Sequence, residues 1–124
     1  MKTSFFKYYK GTAGVAICLY PPLNWKGEWF PELAPTKEIF HAIKYGNINE
    51  AQYEERFKKE VLSKLNPTEV YEKLKDKVLL CYEESDKFCH RHIVASWLKE
   101  SLGIEVTEWN VSDEYKKINT NPLF

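Results

Sequence analysis

Val78-Leu79-Leu80-Cys81-Tyr82 is an uninterrupted apolar run. It is too short for a buried helix and has no polar face, which suits a strand covered on both sides at the centre of a parallel sheet. A polar loop follows, and from Cys89 onward Ile93, Val94, Trp97, Leu98 and Leu102 recur at helical spacing up to the terminator Gly103. Ile104-Glu105-Val106-Thr107-Glu108-Trp109 then alternates like a last strand. Strand, helix and strand with short connections predict a C-terminal βαβ unit, right-handed by the general rule for parallel crossovers.

The rest of the chain fits around that unit. Thr3 to Tyr9 is aromatic and β-prone, Gly11 to Gly14 reads as a turn, and Val15 to Tyr20 is a second apolar run stopped by Pro21-Pro22. From there to Pro35 the chain reads as a Pro- and Trp-rich loop covering an edge of the core. Thr36 can cap a short helix to about Tyr45, ended by Gly46. Asn49 begins the clearest helix: Gln52 sits at the capping-box position, and Tyr53, Phe57, Val61 and Leu65 form one stripe. Asn66-Pro67 closes it and opens another, with Val70, Tyr71 and Leu74 inward. The tail from Asn110 is polar until Leu123-Phe124. The expected fold class is α/β: a small sheet, at least partly parallel, flanked by helices, in a single domain spanning residues 1–124.

Composition excludes several roles. The 124 residues are 44% hydrophobic and 15% aromatic, enough for a packed core without staples. A formal net charge of zero argues against a general nucleic-acid or anionic-membrane surface. No apolar run approaches the roughly 20 residues of a membrane span, and the N-terminus lacks the apolar stretch of a secretory signal. Three cysteines cannot pair completely, so reduced thiols and a cytoplasmic location are expected.

The chemistry concentrates after the apolar run. Two of three cysteines, two of three histidines and one of two arginines lie between positions 81 and 92, in a chain that otherwise uses sixteen lysines for its positive charge. Ligands of open α/β sheets collect beyond the carboxyl ends of strands. If Ser85 or Asp86 caps the helix, Cys89, His90 and Arg91 occupy its first turn, where free N–H groups and the dipole favour an anion. Arg91 then offers a bidentate grip on phosphate or carboxylate. Cys89 becomes a candidate thiolate nucleophile, with His90 as base or proton carrier and Glu83 or Glu84 as general base or ribose ligand.

Plainer readings stand beside these. Cys81 and Cys18 suit core packing, His90 a cap or a backbone hydrogen bond, and Arg91 an ion pair with Glu83 or Glu84 that fixes the loop. Zinc is not expected: seven residues separate Cys81 from Cys89, and the second ligand pair of a structural site is missing. A Cys81–Cys89 disulfide would need the loop to fold back tightly. No Walker loop, GxGxxG, GxSxG or HExxH pattern occurs, so no cofactor is expected.

Leu79-Leu80-Cys81-Tyr82-Glu83 followed by Phe88-Cys89-His90-Arg91-His92 and Val94-Ala95-Ser96-Trp97-Leu98 resembles the family catalogued as domain of unknown function 488. Its hallmark is a C-x-E…CHR segment near the C-terminus. Weaker agreement lies in Thr3-Ser4-Phe5-Phe6, Pro21-Pro22 with Trp25, Leu33-Ala34-Pro35, Tyr53 through Pro67 and Val106-Thr107-Glu108-Trp109. The resemblance implies a small α/β protein with Cys81, Glu83, Cys89, His90 and Arg91 around a pocket, and Thr3 and Ser4 near it. It carries no reaction over.

Three functions are compatible with these residues. The first is an enzyme, transferase or hydrolase, acting on a small anionic or nucleotide-like molecule. The second is a binding module that captures such a molecule without turnover, with Trp25, Trp29 or Tyr82 stacking on a base. The third is a structural turn without ligand. Exposed aromatics near the Trp loop leave room for a homodimer.

Overall fold

The computed structural model describes residues 1–84 and 87–112. Among them are five strands, β1 (Lys2–Phe5), β2 (Gly14–Ala16), β3 (Glu28–Trp29), β4 (Val78–Cys81) and β5 (Thr107–Glu108), and four helices, α1 (Lys37–Lys44), α2 (Glu50–Glu60), α3 (Pro67–Leu74) and α4 (His90–Leu102), in the order β1-β2-β3-α1-α2-α3-β4-α4-β5. The sheet order is β3-β2-β4-β1-β5, and every pairing is parallel. The α/β expectation holds, and the sheet is wholly rather than partly parallel. All four residues of β4 are buried, as an apolar strand paired on both edges requires.

Alternation along β4 separates two cores. Leu79 joins Val15 and Ile17 in one cluster with Phe57, Leu74, Val94 and Leu98 from the helices. Each such full burial contributes roughly 1.5–3 kcal/mol. Val78 and Leu80 face the other side, where Tyr9 and Trp109 cover them. Tyr9 belongs to the short connection from β1 to β2, so this aromatic crossover does on one face what the helices do on the other. At Gly14 a Cβ would stand 2.7 Å from Leu80 Cδ1 and 3.2 Å from Trp25 and Tyr9 ring atoms, so the close approach of that crossover needs glycine there.

The helix ends follow local chemistry. The Thr36 hydroxyl accepts from Ile39 N–H, Asn49 and Gln52 complete a capping box, and the Asn66 side chain accepts from Thr68 and Glu69 with Pro67 at the first helical position. Gly103 ends α4 at φ +71°, a left-handed conformation that side chains disfavour.

Several boundaries differ from those predicted. α2 stops at Glu60, and Val61 and Leu62 stay buried through a 3-10 turn at Leu62–Lys64, so a four-residue repeat outlasted the helix. β1 ends at Phe5, because the N–H groups of Tyr8 and Tyr9 turn back to its carbonyl. β3 lies inside the segment read as loop. Both its residues are exposed, leaving no period to detect, and it is held by the Trp29 indole donating to the Cys18 carbonyl and by Phe30 N–H donating to Ala16. The tail from residue 113 lies outside the described residues. Among those described, no helix is long and apolar enough to cross a membrane.

β1 and β4 are neighbours, yet the chain leaves β1 across the aromatic face toward β2 and leaves β4 across the helical face toward β5. Divergent connections from adjacent parallel strands are where open α/β sheets place ligand sites.

Candidate functional site

Cys81 ends β4, and Cys89 is the N-cap residue of α4 with no side-chain cap bond. Ser85 and Asp86, expected as caps, lie outside the described residues. The N-cap at Cys89 sets that residue before the first turn rather than in it; His90 and Arg91 lie in the turn, as the sequence suggested, but point different ways.

Arg91 turns inward. Its side chain is fully buried and makes a bidentate pair with Glu108 at the end of β5, Nη2 to Oε1 at 2.9 Å and Nε to Oε2 at 3.4 Å. Nη1 donates to the Glu83 carbonyl at 2.7 Å and to the Cys81 sulfur at 3.1 Å. The fork expected to face an anionic guest is taken up inside the protein, because the start of α4 lies over β1 and points the guanidinium toward β5. The ion pair expected with Glu83 or Glu84 is made with Glu108 instead; Glu83 contributes only its backbone. Thr3 donates its hydroxyl to the same Glu108 carboxylate. Ser4 is buried, and its hydroxyl has no hydrogen-bond partner among the described residues. Thr3 therefore supports the Arg91 pair, Ser4 sits beside Leu80 in the sheet, and neither is among the residues lining the cleft described below.

His90 and the cysteines converge on the other side. The sulfurs of Cys81 and Cys89 are in bonding contact as a disulfide, so the loop does fold back. His90 Nε2 lies 2.7 Å from the Ile17 carbonyl, and Nδ1 lies 3.8 Å from Cys89 Sγ. A carbonyl only accepts, so the proton sits on Nε2 and the Nδ1 lone pair of the neutral ring faces the sulfurs. Burial, helped by the neighbouring Arg91 and His92 charges against the pull of the Ile17 bond, lowers His90 from 6.5 to about 4. At neutral pH the ring is uncharged and a weak base. Cys18 lies in the same sulfur-rich cluster; burial first, then Glu83, pushes its thiol up to about 11, which keeps it protonated and unreactive.

Above these groups opens a cleft of about 680 Å³, the size of a small-molecule site. Buried Cys81, Cys89 and His90 form its floor, Tyr53 and Phe88 its inner wall, and Tyr20, Phe40 and Tyr82 its outer wall, with Glu50, Glu83 and Lys87 at the mouth. The Tyr82 hydroxyl donates to the Tyr20 carbonyl at 2.5 Å, tying the chain after β4 to the chain after β2. Trp25 and Trp29 do not line this cleft: their indoles donate to the Glu28 and Cys18 carbonyls, and Trp25 borders a smaller hollow with Phe6 and Tyr82.

Of the residues singled out from sequence, Cys81, Tyr82, Glu83, Cys89 and His90 therefore border one cleft, Arg91 and Thr3 meet at Glu108, and Ser4 pairs with Leu80 in the sheet. Glu108 as a partner of Arg91, and the aromatic wall apart from Tyr82, were missed. Glu108 sits in an ordinary alternating strand and becomes Arg91's partner only because β5 docks beside β1. Tyr53 reads as a helix-packing residue, and its second face is visible only once the helices are placed.

No curated protein and no solved structure matches the chain. A family model described as the active DUF488-N3 subclade, DUF488-N3a, matches residues 10–102, three quarters of the chain including the Cys81–Arg91 segment. With the C-x-E…CHR segment at the cleft floor and most of its length matched, this chain belongs to the DUF488 family.

Proposed function

We propose that this protein is an enzyme of hydrolase or transferase type that takes a small planar, nucleotide-like molecule into the aromatic cleft and transforms it at the Cys81–Cys89–His90 floor. One observation carries the reading: two sulfurs and an imidazole of fixed tautomer converge beneath a ligand-sized aromatic cleft at the carboxyl ends of a parallel sheet. Five aromatic side chains suit a flat ring. Lys87, at the mouth, replaces Arg91 as the cation for a phosphate, and Glu83 is placed to hold a ribose hydroxyl or exchange a proton. Arg91 acts from behind, its donor favouring the charged form of the Cys81 sulfur once the pair is reduced. The description of the matching subclade as active agrees with a catalytic role.

The test uses nucleoside monophosphates and reduced protein. NMR titration should move the signals of Tyr82, Lys87 and Phe88, and Lys87→Ala should weaken binding about tenfold, the loss of one charge-assisted contact. Phosphorus NMR should then show turnover that Cys81→Ser and Cys89→Ser abolish while binding persists. Binding with no turnover in the unaltered protein would make it a capture module. Absence of binding by every nucleotide would refute the substrate class.

A further inference from the structure

We propose that the reduced Cys81, Cys89 and His90 hold one divalent transition-metal ion, zinc by ligand type, at the floor of the cleft. The proposal rests on the reading of that cleft as a reaction site and names the agent there.

The three ligand atoms lie within 4.8 Å of one another. Bonds of about 2.3 Å to sulfur and 2.0–2.1 Å to nitrogen in a tetrahedral site put a thiolate and an imidazole nitrogen about 3.6 Å apart and two thiolates about 3.8 Å apart. Cys89 Sγ and His90 Nδ1 already stand 3.8 Å apart. The backbone agrees: the Cα atoms of Cys81 and Cys89 are separated by 7.6 Å, whereas disulfides usually span about 4.4–6.8 Å. A metal between the sulfurs lengthens the bridge by about 1.7 Å, which suits that separation.

The surroundings match what a metal ligand set needs. His90 donates its other ring proton to a backbone carbonyl, the arrangement that fixes a ligating tautomer. The Arg91 donor to Cys81 Sγ is a second support for a charged sulfur. Two thiolates neutralise a divalent ion, and Arg91 is neutralised by Glu108, so the buried cluster carries no net charge. Cys81, Cys89 and His90 all border the cleft, so a fourth ligand, a water or an oxygen of the guest, would come from that side. Three protein ligands with an open position characterise catalytic rather than structural zinc. The sequence argued against zinc because the cysteines are seven residues apart and lack a second pair; the folded loop removes the first objection and an open site removes the second. The disulfide and the metal are exclusive states, since oxidation consumes both thiolates.

The experiment is metal analysis of protein purified anaerobically with a phosphine reductant, followed by cobalt(II) titration of the metal-free form. The expected result is one equivalent of bound zinc and, with cobalt, thiolate-to-metal charge-transfer bands with the intense visible absorption of a four-coordinate ion. Cys81→Ser, Cys89→Ser and His90→Gln should each weaken cobalt binding at least tenfold, with Cys18→Ser unchanged; circular dichroism checks that each variant folds. Where a variant does not fold, the spectrum of the unaltered protein decides, because sulfur ligation is read from it directly. No stoichiometric metal, or charge-transfer bands that survive both cysteine replacements, overturns the proposal. Nucleotide binding without metal uptake would sink the metal alone, and metal uptake without nucleotide binding would sink the substrate class alone.

Discussion

Replacing Glu108 with Gln tests whether Arg91 is a structural charge. The guanidinium is fully buried, and two of its four hydrogen bonds go to Glu108. Removing one partner of a buried ion pair costs about 3–5 kcal/mol, most of it from the charge left behind. Two features reduce that figure here. The Glu108 side chain is 27% exposed, so solvent screens part of the attraction. A glutamine oxygen can also still accept one Arg91 bond. Both point to about 2 kcal/mol, or roughly 8 °C in Tm for a domain of this size. Urea unfolding followed by circular dichroism should show the lower midpoint with an unchanged slope. The combined replacement Arg91→Met with Glu108→Leu should recover most of the loss, because it removes the charges together. A Glu108→Gln loss under about 0.5 kcal/mol, the scale of an exposed pair, would refute the structural role and return Arg91 to the ligand.

Protonating His90 should destabilise the protein in its disulfide form. Its folded value of about 4 lies below the ordinary 6.5, so the unfolded chain binds the extra proton first. The contribution is complete above pH 6.5 and is lost as pH falls toward 4, amounting to on the order of 3 kcal/mol. The groups bearing on the ring are Cys89, Arg91 and His92. Subtracting the acid unfolding profile of His90→Gln from that of the unaltered protein isolates this proton, and parallel profiles between pH 4 and 6.5 would contradict it. Asn49→Ala removes one arm of the α2 capping box and should cost about 1 kcal/mol, read as a shift in urea midpoint.

Much of the fold was legible because local chemistry is decisive where it is dense. Val78–Cys81, the Asn49–Gln52 box, Asn66-Pro67 and Gly103 each specify one conformation from a few adjacent residues, and the structure shows each in its expected place. The cleft floor was legible as a place: Cys81, Glu83, Cys89 and His90 come together from a strand end and a helix start. Its geometry was not. A helix start says that residues 89–91 are near one another, while the direction each side chain takes depends on what lies over and under the helix. The Cys81–Cys89 meeting hid behind sequence spacing, since the distance between two sulfurs depends on the path of the chain between them.

What the residues determined alone was an α/β chain with its cysteines, histidines and arginine gathered at one strand-to-helix turn, because hydrophobic period, capping and turn chemistry act over a few positions. Tertiary structure decided which charges became internal and which side chains became accessible. Glu108 meets Arg91 through the pairing of β5 with β1, and the aromatic wall forms where α1, α2 and the segments after β2 and β4 come together. Burial and pairing depend on elements distant in sequence, so one guanidinium could read as an open anion clamp and fold into a buried partner of Glu108.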